Sequence, residues 1–182
     1  MHRILNIAGN EKNNDDLIEQ PKADFIFITS VKADINIISD LVEDKEFNSF
    51  KNNIRALELS NLNTLAQIDN YFAKTINYAK VVVLRLFGDK GTWSYGIEKL
   101  INWQELKINR TLLVLSGTEE EDLSLNELSS INLDTSIKIT NLLRSGGKEN
   151  YRRFLYCLNH LFANDTNIPN SCLLYTSPSP RD

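Results

Sequence analysis

The stretch "VVVLRLFGDKGTWSYGIEKL", Val81 to Leu100, decides the fold, because an apolar segment, a glycine-rich loop and an amphipathic segment follow one another directly. An almost continuous apolar run is typical of a strand that is buried on both faces of a parallel sheet. A strand, a glycine loop and a helix start are also the parts of a phosphate-binding loop. The stretch therefore predicts a βα unit and raises the question of a nucleotide site.

The glycines of this loop do not match a nucleotide-binding pattern. Gly88, Gly91 and Gly96 fit neither G-x-x-x-x-G-K-[ST] nor G-x-G-x-x-G. Trp93 and Tyr95 are too bulky for close backbone approach to a pyrophosphate. Two interpretations stay open: the glycines supply positive φ while the aromatic rings pack over the sheet edge, or the rings line a pocket for a flat ligand or an interdomain contact.

The rest of the chain repeats the same alternation of strand and helix. The last four apolar runs begin about 30 residues apart from one another, which is the length of a βαβ unit. The predicted strands are Arg3–Ala8, Asp24–Thr29, Ile54–Leu59, Lys80–Phe87 and Thr111–Ser116. Strands of this kind between amphipathic helices predict an α/β fold: a doubly wound, mostly parallel sheet with flanking helices, Rossmann-like or flavodoxin-like.

Apolar stripes at helical spacing mark the helices between and after these strands. After Ser116 the pattern becomes helical, with a glycine pair, Gly146 and Gly147, suited to a helix C-cap. The inward-facing residues of the predicted helices are Ile35, Ile38, Leu41 and Val42; Leu65, Ile68, Phe72 and Ile76; Ile97, Leu100, Ile101 and Leu106; and Phe154, Leu155, Leu158 and Leu161.

Residues with chemically active side chains are sparse and do not converge on one site. The acidic run Glu119–Asp122 is interpreted as a solvated loop, because consecutive side chains do not close around one ion. His2 and His160 are far apart in sequence, and Cys157 falls within an apolar stripe, as a small buried hydrophobe would. We therefore predict no catalytic residues and no metal site in this chain.

Composition narrows the class of protein. The chain has 182 residues, 42% hydrophobic and 24% charged, with a net charge of −4, which predicts a globular domain and neither a nucleic-acid nor a membrane partner. Two cysteines do not form a disulfide framework, and the chain shows neither a signal peptide nor an apolar run long enough to span a bilayer. These features predict a cytoplasmic protein.

The last eleven residues, "CLLYTSPSPRD", Cys172 to Asp182, differ in composition from the rest. They can be back-translated into a transposase-based sequencing adapter. We therefore expect residues 1–171 to form the natural α/β domain, truncated near Ser171, and residues 172–182 to be a non-native tail.

Several segments together resemble the N-terminal end of the large subunits of the CobN/magnesium-chelatase family. They are "QPKADFIFITSVKADINII", the run from "LELSNLN" through "VVVLRLFGDKGTWSYGIEKL", "LLVLSG" and "LLRSGGKENYRRFLYCL". The resemblance covers essentially Met1 to Phe162 and depends on the order and spacing of these segments. Asp89, Ser94, Ser116 and Lys148 depart from the family pattern in the loops.

The resemblance implies a part in ATP-dependent insertion of Co²⁺ into a corrin-type ring during cobalamin biosynthesis. In that family the large subunit holds the tetrapyrrole and the metal, whereas AAA+-type partner subunits hydrolyse Mg-ATP. It implies that the catalytic groups lie beyond Ser171, so that this fragment is inactive alone and binds neither Co²⁺ nor ATP.

Five residues are the candidates for a contact with the macrocycle or with the remainder of the large subunit: Arg85, Gly88, Trp93, Tyr95 and Gly96. The alternatives are a fragment of a magnesium chelatase large subunit and a stand-alone flavodoxin-like binding or regulatory domain.

Overall fold

A computed structural model describes residues 6–7, 16–118, 123–165 and 167–177 of the chain. The acidic run Glu119–Asp122 and His2 lie outside the described residues, as does most of the predicted first strand. The described residues form one parallel sheet with helices on both of its faces.

The sheet has five strands in the order β1-β3-β2-β4-β5, and all four neighbouring pairs are parallel. The four predicted strands that lie fully within the described residues are confirmed to within one residue at each end. The strands are β1 (Asn6–Ile7), β2 (Phe25–Thr29), β3 (Ile54–Glu58), β4 (Val81–Leu86) and β5 (Thr111–Ser116).

Helices connect these strands and form the C-terminal part of the domain. They are α1 (Lys32–Leu41), α2 (Leu65–Lys74), α3 (Ser94–Glu105), α4 (Leu123–Asn126), α5 (Leu133–Ser145), α6 (Lys148–Phe162) and α7 (Asn170–Leu173). Gly146 and Gly147 have φ of 70° and 84°, so the glycine pair ends α5 in the left-handed region, as predicted. The doubly wound α/β prediction is confirmed.

Alternation along the strands divides the core into two clusters, one on each face of the sheet. In β2, Phe25 and Phe27 join the cluster beneath α1, α5 and α6, whereas Ile26 and Ile28 join the cluster beneath α2, α3 and α4. Every residue of β4 and β5 is buried. This explains why the strands are continuously apolar in the sequence.

Two residues of the predicted apolar stripes are on the outside. Leu65 is 62% exposed and Leu106 is 78% exposed. Leu65 is the first residue of α2 and Leu106 follows the last residue of α3, so both lie where the helices end. Tyr71 and Trp103, which were not assigned to the stripes, are buried on the same two helices instead.

Within the part of the chain that the structure describes, no helix combines the length and the apolar character needed to cross a membrane.

Candidate functional site

The strand order creates a crevice at the carboxyl edge of the sheet. From β2 the chain moves to β3 on one side, and from β3 it crosses to β4 on the other side of β2. The carboxyl ends of β2 and β4 therefore flank the point where the winding direction reverses. Open α/β sheets bind ligands at this place.

A groove of about 290 Å³ opens at this edge, hereafter the crevice. Its walls come from the ends of β2 and β3, from the residues that lead into α2, and from the loop after β4. The lining residues are Thr29, Ser30, Glu58, Leu59, Ser60, Asn63, Thr92 and Trp93. Among the described residues, this lining offers hydroxyl and amide groups and one carboxylate, and no cationic side chain.

A larger groove of about 430 Å³ opens at the opposite edge, beside Arg110 and Thr111 at the start of β5. Arg110 is engaged there by backbone carbonyls, because it donates to Trp103 at 2.6 Å and to Asn77 at 2.8 Å. We choose the carboxyl edge as the candidate site, because parallel α/β sheets place their ligands at that edge whichever cavity is larger.

Side-chain oxygens accept from backbone N–H groups at the start of α2 and in the loops ahead of α1 and α3. Thr64 and Gln67 form a reciprocal capping box at the start of α2. The Asp89 carboxylate accepts from the Gly91 N–H at 2.9 Å, ahead of α3. Ahead of α1, the Thr29 hydroxyl accepts from a backbone N–H at 2.9 Å. Among α1, α2 and α3, a side chain therefore caps only α2, whereas α1 and α3 begin without a side-chain cap.

Trp93 is one wall of the crevice and is largely a packing residue. It is 7% exposed, and its indole N–H donates to the Leu62 carbonyl at 2.9 Å. A Cβ at Gly96 would lie 2.3 Å from the indole ring carbons, so the missing side chain is what admits the ring. Little of the ring is left for stacking on a flat ligand.

Gly88 has a φ of +93°, and a Cβ there would lie 2.4 Å from the Thr92 hydroxyl. It is the only one of the loop's three glycines with positive φ, so Gly91 and Gly96 do not have the conformation predicted for them. Gly88 therefore shapes the loop through its backbone.

Tyr95 is half-buried and is directed toward α2. Its hydroxyl donates to Asp69 at 2.6 Å, and Lys99 donates to the same oxygen at 2.7 Å. The bond to Asp69 raises the pKa of Tyr95, and the bonds from Lys99 and Tyr95 lower the pKa of Asp69. Tyr95 is not among the residues that line the crevice.

Arg85 lies on the other face of the sheet, beneath α1 and α6, and is 5% exposed. It pairs with the buried Asp34 at 2.6 Å and donates to the Tyr151 hydroxyl at 3.3 Å. Tyr151 also donates to Asp34, and the Thr29 hydroxyl donates to the second oxygen of Asp34 at 2.8 Å. Burial and the adjacent Asp34 raise the pKa of Tyr151. The structure therefore separates Arg85 from the other four candidates.

Sequence reasoning missed the polar residues that line the crevice, among them Ser30, Ser60 and Asn63. The available signal was their position, since each follows the carboxyl end of a predicted strand. Among the described residues, no group of three or more His, Cys, Asp or Glu side chains could hold a metal ion.

The fold and the crevice define a doubly wound α/β domain with a groove at its switch point. No model of a known protein family matches the chain. The chain is similar to the aerobic cobaltochelatase subunit CobN of Pseudomonas aeruginosa, at 24% identity over 163 residues, covering 87% of this chain and 12% of that protein. The chain thus spans about an eighth of this curated relative's length.

A solved structure shows the same fold. The catalytic subunit of cobaltochelatase from Mycobacterium tuberculosis matches with a TM-score of 0.54 and 21% identity, covering 87% of this chain and 11% of that one. The two comparisons confirm the resemblance to CobN that the sequence segments predicted.

Proposed function

We propose that this chain is the N-terminal α/β part of the large subunit of an ATP-dependent cobalt chelatase, which inserts Co²⁺ into a corrin-type ring in cobalamin biosynthesis. The observation that carries the proposal is the alignment with CobN, which extends over 87% of the chain rather than over one motif. The proposal places the protein in the cytoplasm, together with the remainder of the large subunit.

The proposal assigns ATP hydrolysis to separate AAA+-type subunits that bind Mg-ATP. The loop after β4 supports this division, because Gly88, Gly91 and Gly96 match neither glycine pattern of a nucleotide-binding loop. The groups that deprotonate the ring and desolvate the metal belong to the rest of the subunit, so the chain alone is not catalytic and binds neither Co²⁺ nor ATP.

The size of the crevice limits what it contacts. At about 290 Å³ it is at the lower end of small-molecule sites, which run from about 300 to about 1,000 Å³. It therefore suits a peripheral group of the tetrapyrrole or a short segment of the remaining subunit better than a whole macrocycle. The Glu58 carboxylate favours a neutral, amide-like group over a carboxylate, since the described lining residues include no cation to offset its charge.

Two alternatives make different predictions. A magnesium chelatase large subunit would share the fold, but both matched proteins are cobalt enzymes. A stand-alone flavodoxin-like binding or regulatory domain would bind its ligand in the crevice without the rest of a larger subunit.

Genomic sequence past the codon for Ser171 separates the stand-alone alternative from the proposal. An open frame that continues for many hundreds of codons supports the chelatase, and an immediate stop codon contradicts it.

A titration with a metal-free corrinoid tests the crevice directly. Saturable binding that is lost in a Ser60→Trp variant, which fills the groove, would place a ring substituent there. A Leu106→Trp variant is the matched control, because Leu106 is exposed beyond the end of α3. No binding by the unaltered chain would leave Trp93 and Tyr95 with packing roles and contradict the ring contact.

A further inference from the structure

The groove of about 430 Å³ at the amino edge of the sheet, hereafter the amino-edge groove, takes no part in the proposed function. The loop between α3 and β5, the segment between α4 and α5 and the turn after α6 form its walls. Three apolar side chains line it, Ile108, Ile131 and Leu161, and so do the side-chain amides of Asn109 and Asn164. This mixture is typical of contacts between domains of one chain, which are more polar than permanent subunit interfaces.

Hydrogen bonds hold each of the three walls. In the first, the Arg110 side chain donates to two backbone carbonyls. In the second, the Ser130 N–H donates to the Leu112 carbonyl at 2.8 Å, and the Ser130 hydroxyl accepts from the Leu112 N–H at 2.9 Å. In the third, the Asn164 N–H donates to the Leu161 carbonyl at 3.0 Å. A partner would therefore meet a preformed surface and lose little free energy in ordering it.

The charged side chains beside the groove already have partners within the domain. Both terminal nitrogens of Arg110 donate to backbone carbonyls. One Asp165 oxygen lies 2.9 Å from His160 Nδ1, and the other accepts from the Asn167 N–H at 3.0 Å. An ionic ligand would have to compete with these contacts, whereas apolar side chains and backbone amides would not. The groove therefore favours a polypeptide partner over a charged small molecule.

Ile108 is the apolar residue that a partner would cover most completely. Among the described residues, it has the largest exposed fraction of any large hydrophobic side chain. A single exposed apolar residue is common on protein surfaces. Ile108, however, lies on a held loop and lines one groove together with Ile131 and the buried Leu161. An exposed apolar side chain beside further apolar groups is what the centre of an interface requires.

We propose that the amino-edge groove is the surface on which the remainder of the large subunit docks. Ile108, Ile131 and Leu161 contact apolar side chains of that remainder. Asn109 and Asn164 pair with its backbone, because a side-chain amide can both donate and accept. This inference rests on the proposed function, since its occupant is the rest of a chelatase large subunit.

The length of the matched relative carries the choice of occupant. This chain covers 12% of CobN from Pseudomonas aeruginosa, so most of a subunit of that length lies outside the described domain. Linkage within one chain raises the effective concentration of the two parts, so a groove of modest size is enough to hold them together. The amino-edge groove and the crevice lie at opposite edges of the sheet, so docking leaves the crevice open.

Thiol labelling compares this chain with the complete large subunit. The thiol of an Ile108→Cys variant should react with a maleimide at least about tenfold more slowly in the complete subunit, because docking covers it. Leu106→Cys is the matched control. Leu106 is exposed two residues away but lines a different groove, between α2 and α3. Its labelling rate should agree within about twofold between the two proteins.

Two results of the labelling would overturn the inference. Equal reactivity of Ile108→Cys in the chain and in the complete subunit would show that nothing covers the groove. Equal slowing of both variants in the complete subunit would show a contact that is not specific to this groove.

A charge at the same position tests the anchor through hydrogen exchange of residues 129–131 and 163–165, which form two of the walls. Ile108→Lys should raise their exchange by about fivefold or more in the complete subunit, because an apolar partner cannot accommodate an ammonium group. In this chain alone the effect should stay within about twofold, since Ile108 is exposed there. The same small effect in both proteins would contradict docking at Ile108.

Failure of this inference can be told apart from failure of the proposed function. A complete subunit that inserts cobalt while its Ile108→Cys variant stays fully reactive contradicts the docking surface alone. A reading frame that stops near Ser171 contradicts the proposed function, and the docking surface with it. Labelling of this chain that slows as its concentration rises, together with a dimer by light scattering, would assign the groove to a second copy and overturn the occupant.

Discussion

The two sides of the sheet at its carboxyl edge have opposite characters. Beneath α1 and α6, Arg85, Asp34 and Tyr151 form a buried, charged network with little access to solvent. Toward α2 and α3, the crevice is open and walled by Trp93, and Glu58 is the one charged residue among its described lining residues. A polar cluster near a switch point is therefore no guide to a ligand site until its face of the sheet is known.

Thr29 belongs to both sides. Its hydroxyl donates to Asp34 at 2.8 Å, and the residue also lines the crevice. It pairs in register with Arg85 on β4. The network beneath the sheet thus contacts the end of β2 that forms one wall of the crevice.

The largest effect should come from breaking the buried ion pair. Asp34→Ala leaves the Arg85 guanidinium buried without its carboxylate, and we expect a loss of about 3–5 kcal/mol in the free energy of unfolding. Chemical denaturation measures it. Asp134→Ala breaks an exposed pair with Lys138 and should cost less than about 1 kcal/mol, because solvent screens it. Equal losses in the free energy of unfolding for the two variants would show that the buried network around Asp34 does not stabilise this side of the sheet.

A smaller effect should come from the packing beneath the crevice. Gly96→Ala forces the indole of Trp93 away from a new Cβ, and we expect a destabilisation of about 1–3 kcal/mol with a shift in tryptophan emission. At Gly91 a Cβ would meet only an Asp89 oxygen, at 3.2 Å, so Gly91→Ala is the control with a smaller effect. An unchanged emission spectrum for Gly96→Ala would contradict the packing of Trp93 on α3.

The core cluster on the α6 side of the sheet should also be less stable at alkaline pH. Burial raises the pKa of Cys157 to about 12 and also raises that of Tyr151. The folded state holds these protons more tightly than the unfolded state does. Their contribution to the free energy of unfolding is therefore complete below the ordinary thiol pKa and falls as pH rises above it.

For the thiol we expect a loss of up to about 2 kcal/mol between pH of about 8.5 and about 10. Denaturation at several pH values measures it, and Cys157→Ala should flatten the profile in this window. An unchanged slope in the variant would contradict the role of the thiol.

Continuous apolar runs and helical stripes were enough to predict the sheet, because both faces of its central strands are buried. The alternation of side chains along β4 could have placed Arg85 with Val81 and Val83 on the face beneath α6. Arg85 and Trp93 are close together in the sequence, which suggested a single site although they lie on opposite faces of the sheet. Leu65 was predicted to lie in the core, because helical periodicity does not show where the end of a helix extends past the edge of the sheet.

The contacts of Asn150 and Arg153 with the backbone of residues 171–176 could not be predicted from the sequence, because contacts with backbone atoms leave no pattern in the residues contacted. Asn150 and Arg153 appear in the sequence as ordinary polar residues of an amphipathic helix. The non-native origin of residues 172–182 stays a prediction, and so do the roles of the five candidate residues.

Cobalt insertion by the complete large subunit, assayed with its ATPase subunits, Mg-ATP, Co²⁺ and the metal-free ring, tests the central claim most directly. Ser60→Trp fills the crevice and should lower the insertion rate by about tenfold or more, since misplacing a bound substrate by about 1 Å can cost about a hundredfold. Leu106→Trp, at an exposed position, should leave the rate unchanged. Equal rates for both variants and the unaltered subunit would contradict a role for the crevice in the chelatase.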